Sequence, residues 1–214
     1  MELTEPSIEN VISCILQSLK AKSAGLYQHT KETTIIATKL AAALDLSPES
    51  QLYVYISGVC HDLGKLYVKD AILLKANVLE TREMEIIRYH TVWGSEFVQS
   101  VPVLKTLRHI DLAEVVCAHH EEPDGSGYPK GLTNSQIPYI SKIVGIADRY
   151  SALIFDRPYK TAYSPGEALR ILRPTIEAFM NSHAAIAEKT LAEYGDAVRQ
   201  RQDAAPEVIA GKHQ

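Results

Sequence analysis

Apolar residues recur at helical spacing along most of the chain, and in five places the apolar stripe runs into a histidine or an aspartate. Leu26, Thr33, Ile36, Ala37, Leu40 and Leu44 share a face with His29. Leu52, Val54, Tyr55, Ile56, Val59 and Cys60 lead into His61 and Asp62. Ile86, Ile87, Trp93, Phe97 and Val98 accompany His90, Leu112, Val115 and Val116 precede His119 and His120, and Ile140, Ile143, Val144, Ile146, Ala147 and Leu153 surround Asp148. A single histidine on an apolar face is ordinarily a satisfied core residue, whereas an ionised carboxylate there is costly without a partner or a metal. Five histidines and two aspartates placed this way on separate helices are poorly explained as independent accidents. Helix bundles gather such residues at one centre. The fold expected is therefore all-α: no strand-length alternation, internal repeat or low-complexity run competes with the helical period.

The remaining punctuation sets the helix limits. Ile8, Val11, Ile12, Ile15, Leu16 and Leu19 mark a first helix over 7–20, and Ser47-Pro48 supplies a cap and first turn for the third. Gly64 is expected to end that helix and let Lys65 turn back. One helix capped at Thr81 is expected to run through Val98. His119 and His120 fall on the last turn of a helix stopped by Pro123, Gly125 and Gly127, which leaves Tyr128 on a fixed loop. Ile137-Pro138 opens a further helix, and Ser164-Pro165-Gly166-Glu167 has capping-box form. Pro174 is expected to kink or restart the helix that follows, with helix continuing to about Gln202. His109, His183 and His213 stand outside any constellation.

At 214 residues, 46% of them hydrophobic, the chain can bury one sizeable core. The expected division is an N-terminal helix over 1–22, a helical domain over 23–203 and a frayed tail over 204–214. No window approaches the roughly 18 apolar residues of a membrane span, and the acidic start Met1-Glu2-Leu3-Thr4-Glu5-Pro6 lacks the pattern of a secretion signal, so the cytoplasm is expected and a membrane partner is not. Cys14, Cys60 and Cys117 form no metal or disulfide pattern and read as small buried residues. A net charge of −4 argues against nucleic acid polymers as partners but not against a small anion held by local cations.

His29, His61, Asp62, His90, His119, His120 and Asp148 suffice for two metal ions bridged by a carboxylate and a water. Imidazoles with a minority of carboxylates suit iron, manganese or zinc better than calcium or magnesium. The segments around these residues carry a specific pattern: His61-Asp62-Leu63-Gly64-Lys65, then His119-His120-Glu121 followed by Asp124-Gly125-Ser126-Gly127-Tyr128-Pro129, then Arg157-Pro158-Tyr159-Lys160. With Leu74-Lys75, Glu83 and His90 to Gly94, they give the chain from about Tyr27 to Lys160 a clear resemblance to the HD-GYP subgroup of the HD phosphohydrolase superfamily.

That resemblance implies a single HD-type helical bundle with a central metal site, hydrolysing cyclic di-GMP. It implies one metal on His29, His61, Asp62 and Asp148, and a second on Asp62 as bridge with His90, His119 and His120. The ions are expected to be iron or manganese, with zinc as the third option. Asp62 and Lys65 take the catalytic roles, Lys65 at the scissile phosphate or the leaving oxygen. Arg157 and Lys160 are expected on phosphate oxygens, and Tyr128 in the guanine or ribose pocket. The GYP loop is implied as a docking point for GGDEF-domain proteins, and a homodimer is compatible with the pattern. Two departures stand out. Family members with a third metal carry a glutamate four residues before the first histidine, where this chain has Gly25, so two metals and the linear product pGpG are expected; the family's phenylalanine-aspartate-proline ending is also missing. The competing readings are a hydrolase of the same fold acting on another cyclic dinucleotide such as cyclic GMP-AMP, and a non-catalytic module that senses the messenger or docks on a partner.

Overall fold

The computed structural model describes residues 7–107, 109–156 and 161–204, with residues 203 and 204 described by backbone only. Ten α-helices lie among them: α1 (Ile8–Lys22), α2 (Ala24–Ala43), α3 (Pro48–Cys60), α4 (Asp70–Leu73), α5 (Thr81–Arg88), α6 (His90–Ser100), α7 (Leu112–Ala118), α8 (Tyr139–Ile154), α9 (Pro165–Met180) and α10 (Ala184–Ala204). No strand occurs among the described residues, only an isolated bridge between Asp124 and Thr133. The all-α expectation therefore holds. Of the tail expected over 204–214, Ala204 still belongs to α10 and residues 205–214 lie outside the described residues.

Several helices start where side chains can satisfy their free N–H groups. Ser7, Ser23, Ser47, Asp111 and Ser164 each accept a bond from the backbone N–H three residues on. Glu167 returns the bond to Ser164, completing the capping box. Helices α2 and α8 form the centre. α2 packs against α1, α3, α8 and α10, while α8 also meets α3, α7 and α9. Ile36, Leu40, Ile56, Ile143, Ile146 and Tyr150 lie fully buried between them, with the Tyr150 hydroxyl donating to the Leu191 carbonyl at 2.7 Å to tie α8 to α10. Ile12, Ile15 and Leu19 of α1 join this same core.

The structure departs from the helix limits read above in five places. The single helix expected from Thr81 breaks at Tyr89 into α5 and α6, and α5 buries no residue, so Ile86 stays exposed. Glu80, not Thr81, caps α5, in a capping box with Glu83. α7 ends at Ala118, before His119 and well before Pro123, because the Glu121 N–H bonds back to the Ala118 carbonyl and tightens the turn. α9 runs through Pro174 and stops at Asn181, whose φ is +49°. Pro174 is exposed, so the carbonyl it leaves unbonded can be hydrated. Finally, Gly64 does not terminate α3. It lies inside a 3-10 turn, Leu63–Tyr67, pressed against α6, where a Cβ would fall 1.9 Å from the His90 carbonyl oxygen. Of the cysteines, Cys60 and Cys117 are buried as expected, but Cys14 is exposed.

Candidate metal centre

Three of the seven singled-out residues are held by one device. His61 follows α3, His90 opens α6 and His119 follows α7, and each places its Nδ1 2.7 Å from the backbone carbonyl three residues earlier, on Gly58, Ile87 and Val116. A carbonyl oxygen can only accept, so the proton sits on Nδ1 and each Nε2 presents a lone pair. These lone pairs converge. His90 Nε2 lies 3.3 Å from His119 Nε2 and 3.3 Å from Asp62 Oδ1. His61 Nε2 and Asp62 Oδ1 are buried with no hydrogen-bond partner among the described residues. Acceptors this close, out of water, repel unless a proton or a cation lies between them.

Burial keeps the proton away. It pushes His90 down to about 4, with the Lys65 charge adding to the effect, and His120 down to about 3. His119 is held well below its ordinary value by burial and by the neighbouring His120, and His29 is lowered by burial too. His61 goes the other way: burial opposes its charge, but the Asp62 and Asp148 carboxylates outweigh it. Asp62 and Asp148 stay well below the usual carboxylate range in spite of burial, held by Lys65 and His61 in the first case and by His29 and His120 in the second. A buried set of ionised carboxylates and imidazoles, four of the five imidazoles held toward the neutral form, all aimed at one another, could hold a divalent cation.

The donors separate into two groups, His90 with His119 and His120, and His29 with His61 and Asp62, the ligand atoms of each lying within 4.8 Å of one another. Asp62 faces both, Oδ1 toward His90 and Oδ2 at 3.4 Å from His61 Nε2 and 3.7 Å from His29 Nε2. Asp148 was expected with the His29 group and does meet it, Oδ1 being 2.8 Å from His29 Nε2 and 3.8 Å from His61 Nε2. Its Oδ2 also approaches His120 Nδ1 at 3.8 Å, so it too spans the groups. His29 lacks the carbonyl device: its Nδ1 lies 3.2 Å from the Ser151 hydroxyl, which can donate or accept.

Around the centre, Lys65 Nζ donates to Asp62 Oδ2 at 2.7 Å. Tyr128 stacks on His120 with ring centroids 4.8 Å apart, and its hydroxyl is pushed up by burial and by Asp148 and Asp62. Arg157 and Lys160 lie outside the described residues. Glu121, one of the carboxylates of the signature, does not point into the centre. It is buried and accepts from the backbone N–H of Lys130 at 2.7 Å and of Leu132 at 2.9 Å, clasping the loop. Gly127 lets that loop fold against its own start, since a Cβ would fall 2.3 Å from the Glu122 nitrogen, and Gly125 supplies a φ of +80°. Arg149 bonds Glu122 at 2.6 Å, and the Arg88 guanidinium sits over the Tyr128 ring at 5.2 Å. Glu121 is marked by the signature but its clasping role is not, and Ser151, Arg149 and Arg88 carry no periodicity or motif signal of their own, since each acts on residues distant in the chain or through backbone.

Comparison with known proteins agrees with this architecture. The HD domain family model matches residues 13–177. The chain is 34% identical over 170 residues to 3'3'-cGAMP-specific phosphodiesterase 1 of Vibrio cholerae, covering 78% of this chain and 37% of that protein. It is 34% identical over 146 residues to a cyclic di-GMP phosphodiesterase of Thermotoga maritima, covering 67% and 38%. It thus spans well under half the length of these curated relatives. The HD domain of the L. monocytogenes phosphodiesterase PgpH superposes with a TM-score of 0.62 at 15% identity, over 86% of this chain and 98% of that one, a likeness of fold. With the His61–Lys65 and Asp124–Pro129 signatures in place around the converging histidines, the chain belongs to the HD domain family, in its HD-GYP branch.

Proposed function

We propose that the chain is a metal-dependent phosphodiesterase that opens the ring of cyclic di-GMP, mainly to linear pGpG. The observation that carries this reading is the 3.3 Å approach of His90 Nε2 to His119 Nε2, two lone pairs in a buried site that also holds two ionised carboxylates. Two divalent cations, iron or manganese with zinc as the third option, would supply there an activated water and polarisation of the phosphodiester. His29, His61, Asp62 and Asp148 would hold one, and Asp62, His90, His119 and His120 the other.

The chain's own residues do the rest. Asp62 keeps the two ligand groups in register through its two oxygens. Lys65, whose Nζ lies beside Asp62, would meet the scissile phosphate or give a proton to the leaving oxygen. Tyr128 walls the pocket next to His120, and Arg157 and Lys160 are assigned to phosphate oxygens from the family motif. Asp124, Ser126, Pro129 and Lys130 of the clasped loop are exposed, which supports docking of a GGDEF-domain protein there.

The first relative named above supports a second substrate, 3'3'-cyclic GMP-AMP. Protein purified without oxygen and incubated with both cyclic dinucleotides in competition tests the choice: preferential loss of cyclic GMP-AMP would overturn the cyclic di-GMP assignment, and turnover of neither would overturn the enzyme reading in favour of a sensing module. Asp62→Ala should abolish turnover and metal content together. The expectation of two metals and pGpG rests on Gly25. Among the described residues only the Ser23 hydroxyl lies near its would-be Cβ, at 3.6 Å, so Gly25→Glu fits the helix and should add metal capacity and carry the product on to GMP. GMP accumulating from the unaltered protein without a pGpG phase would refute that expectation.

A further inference from the structure

Helix α5 poses a physical question. Its eight residues bury nothing, and a helix so short has little stability of its own. It is held at its start by the Glu80–Glu83 capping box and the Lys75–Glu83 ion pair at 2.6 Å, and at its end by Arg88, whose guanidinium lies over the ring of Tyr128. Tyr128 in turn stacks on His120 of the metal centre, which puts the Arg88 cation one ring outward from the ligands.

The cations around the centre differ in what they are free to do. Lys65, assigned above to the cut phosphate, is paired with Asp62, and Arg149 with Glu122. Arg88 is exposed and has no carboxylate partner among the described residues. A guanidinium lying on an aromatic face uses its π surface for that contact and leaves its N–H edges open, the geometry that takes two oxygens of a phosphate. A cyclic dinucleotide carries two phosphodiesters, and only one can sit on the metals at a time.

We propose that Arg88 binds the second, uncut phosphodiester of the substrate, so that α5 forms one wall of the binding cleft. The inference rests on the cyclic dinucleotide reading above, and its test separates the two. Arg88→Ala and Arg88→Lys, in the metal-loaded protein, are assayed on cyclic di-GMP, on cyclic GMP-AMP and on bis(p-nitrophenyl) phosphate, which has a single phosphodiester. Loss of one charge-assisted bond should raise KM for the cyclic dinucleotide that is turned over by about ten- to hundredfold in Arg88→Ala, with kcat within about threefold. Lysine should restore part of the affinity. Metal content and kinetics on bis(p-nitrophenyl) phosphate should not move. An unchanged KM for the cyclic dinucleotide overturns the proposal, as does an equal loss on both substrate classes, which would put Arg88 at the cut phosphate, or a loss of metal, which would make it a support for His90. Unaltered protein that cleaves bis(p-nitrophenyl) phosphate but neither cyclic dinucleotide overturns the substrate reading itself, and this inference with it.

Discussion

Glu121→Ala would leave the backbone N–H groups of Lys130 and Leu132 without the buried carboxylate that now accepts from both. Each orphaned donor costs about 1–3 kcal/mol, so a loss of roughly 2–6 kcal/mol in unfolding free energy, read from urea unfolding, is expected. Glu121→Gln, which keeps one acceptor oxygen, should lose about half as much. Equal stability of all three proteins would show that the loop closes without the clasp. The histidines give a second expectation, for the metal-free protein. His90 at about 4 and His120 at about 3 remain neutral in the fold at pH values where the unfolded chain, near the ordinary 6.5, binds protons. Stability contributed above that ordinary value is therefore lost as pH falls through 6.5 toward 4 and 3, by about 2 kcal/mol per histidine at pH 5. His61, raised by its carboxylates, acts in the opposite sense and offsets part of this. Thermal unfolding in chelator at pH 7 and pH 5 reads the net effect, and a midpoint that does not fall would mean that the cluster takes up protons while folded.

Contact between elements explains why the metal ligands were easier to read from sequence than the means of holding them. A histidine on an apolar stripe declares itself through its neighbours i±3 and i±4, as His29 and His90 do. Gly64 gives no such signal: its local sequence suits a helix end, and only the packed structure shows that the 3-10 turn and α6 meet where its side chain would be. The same holds for the break at Tyr89. The apolar residues on either side share one helical period, yet the burial that would reward a continuous helix exists only from His90 onward. Gly64→Ala tests this level. With a Cβ 1.9 Å from the His90 carbonyl and 2.6 Å from the Gly94 nitrogen, α6 must move, carrying His90 away from His119 and Asp62. The expected result is loss of metal together with destabilisation of about 3 kcal/mol, measured by metal analysis and urea unfolding. Full metal content in this variant would mean that α6 yields without moving its histidine.

On the scale of the molecule, the candidate ligands come from α2, the end of α3, the start of α6, the end of α7 and α8, so no one hairpin can assemble the centre alone. Metal binding should then report on the whole fold. At a thousandfold excess over the dissociation constant a bound ion stabilises by about 4 kcal/mol, which for a chain of this size is roughly 8–16 °C in Tm. Chelation should lower Tm by that order in a single cooperative transition, and a second, unshifted transition would place the centre on a separately folding part. The carbonyl grip on His61, His90 and His119 carries a consequence for descent. Every residue type brings the same peptide oxygen, so exchanges among apolar residues at Ile87 or Val116 leave the tautomer of the histidine three positions on untouched. At those three positions lineages can rewrite the walls of this centre without rewriting its chemistry; His29 differs, since its ring answers to the hydroxyl of Ser151 and inherits whatever mutation does there.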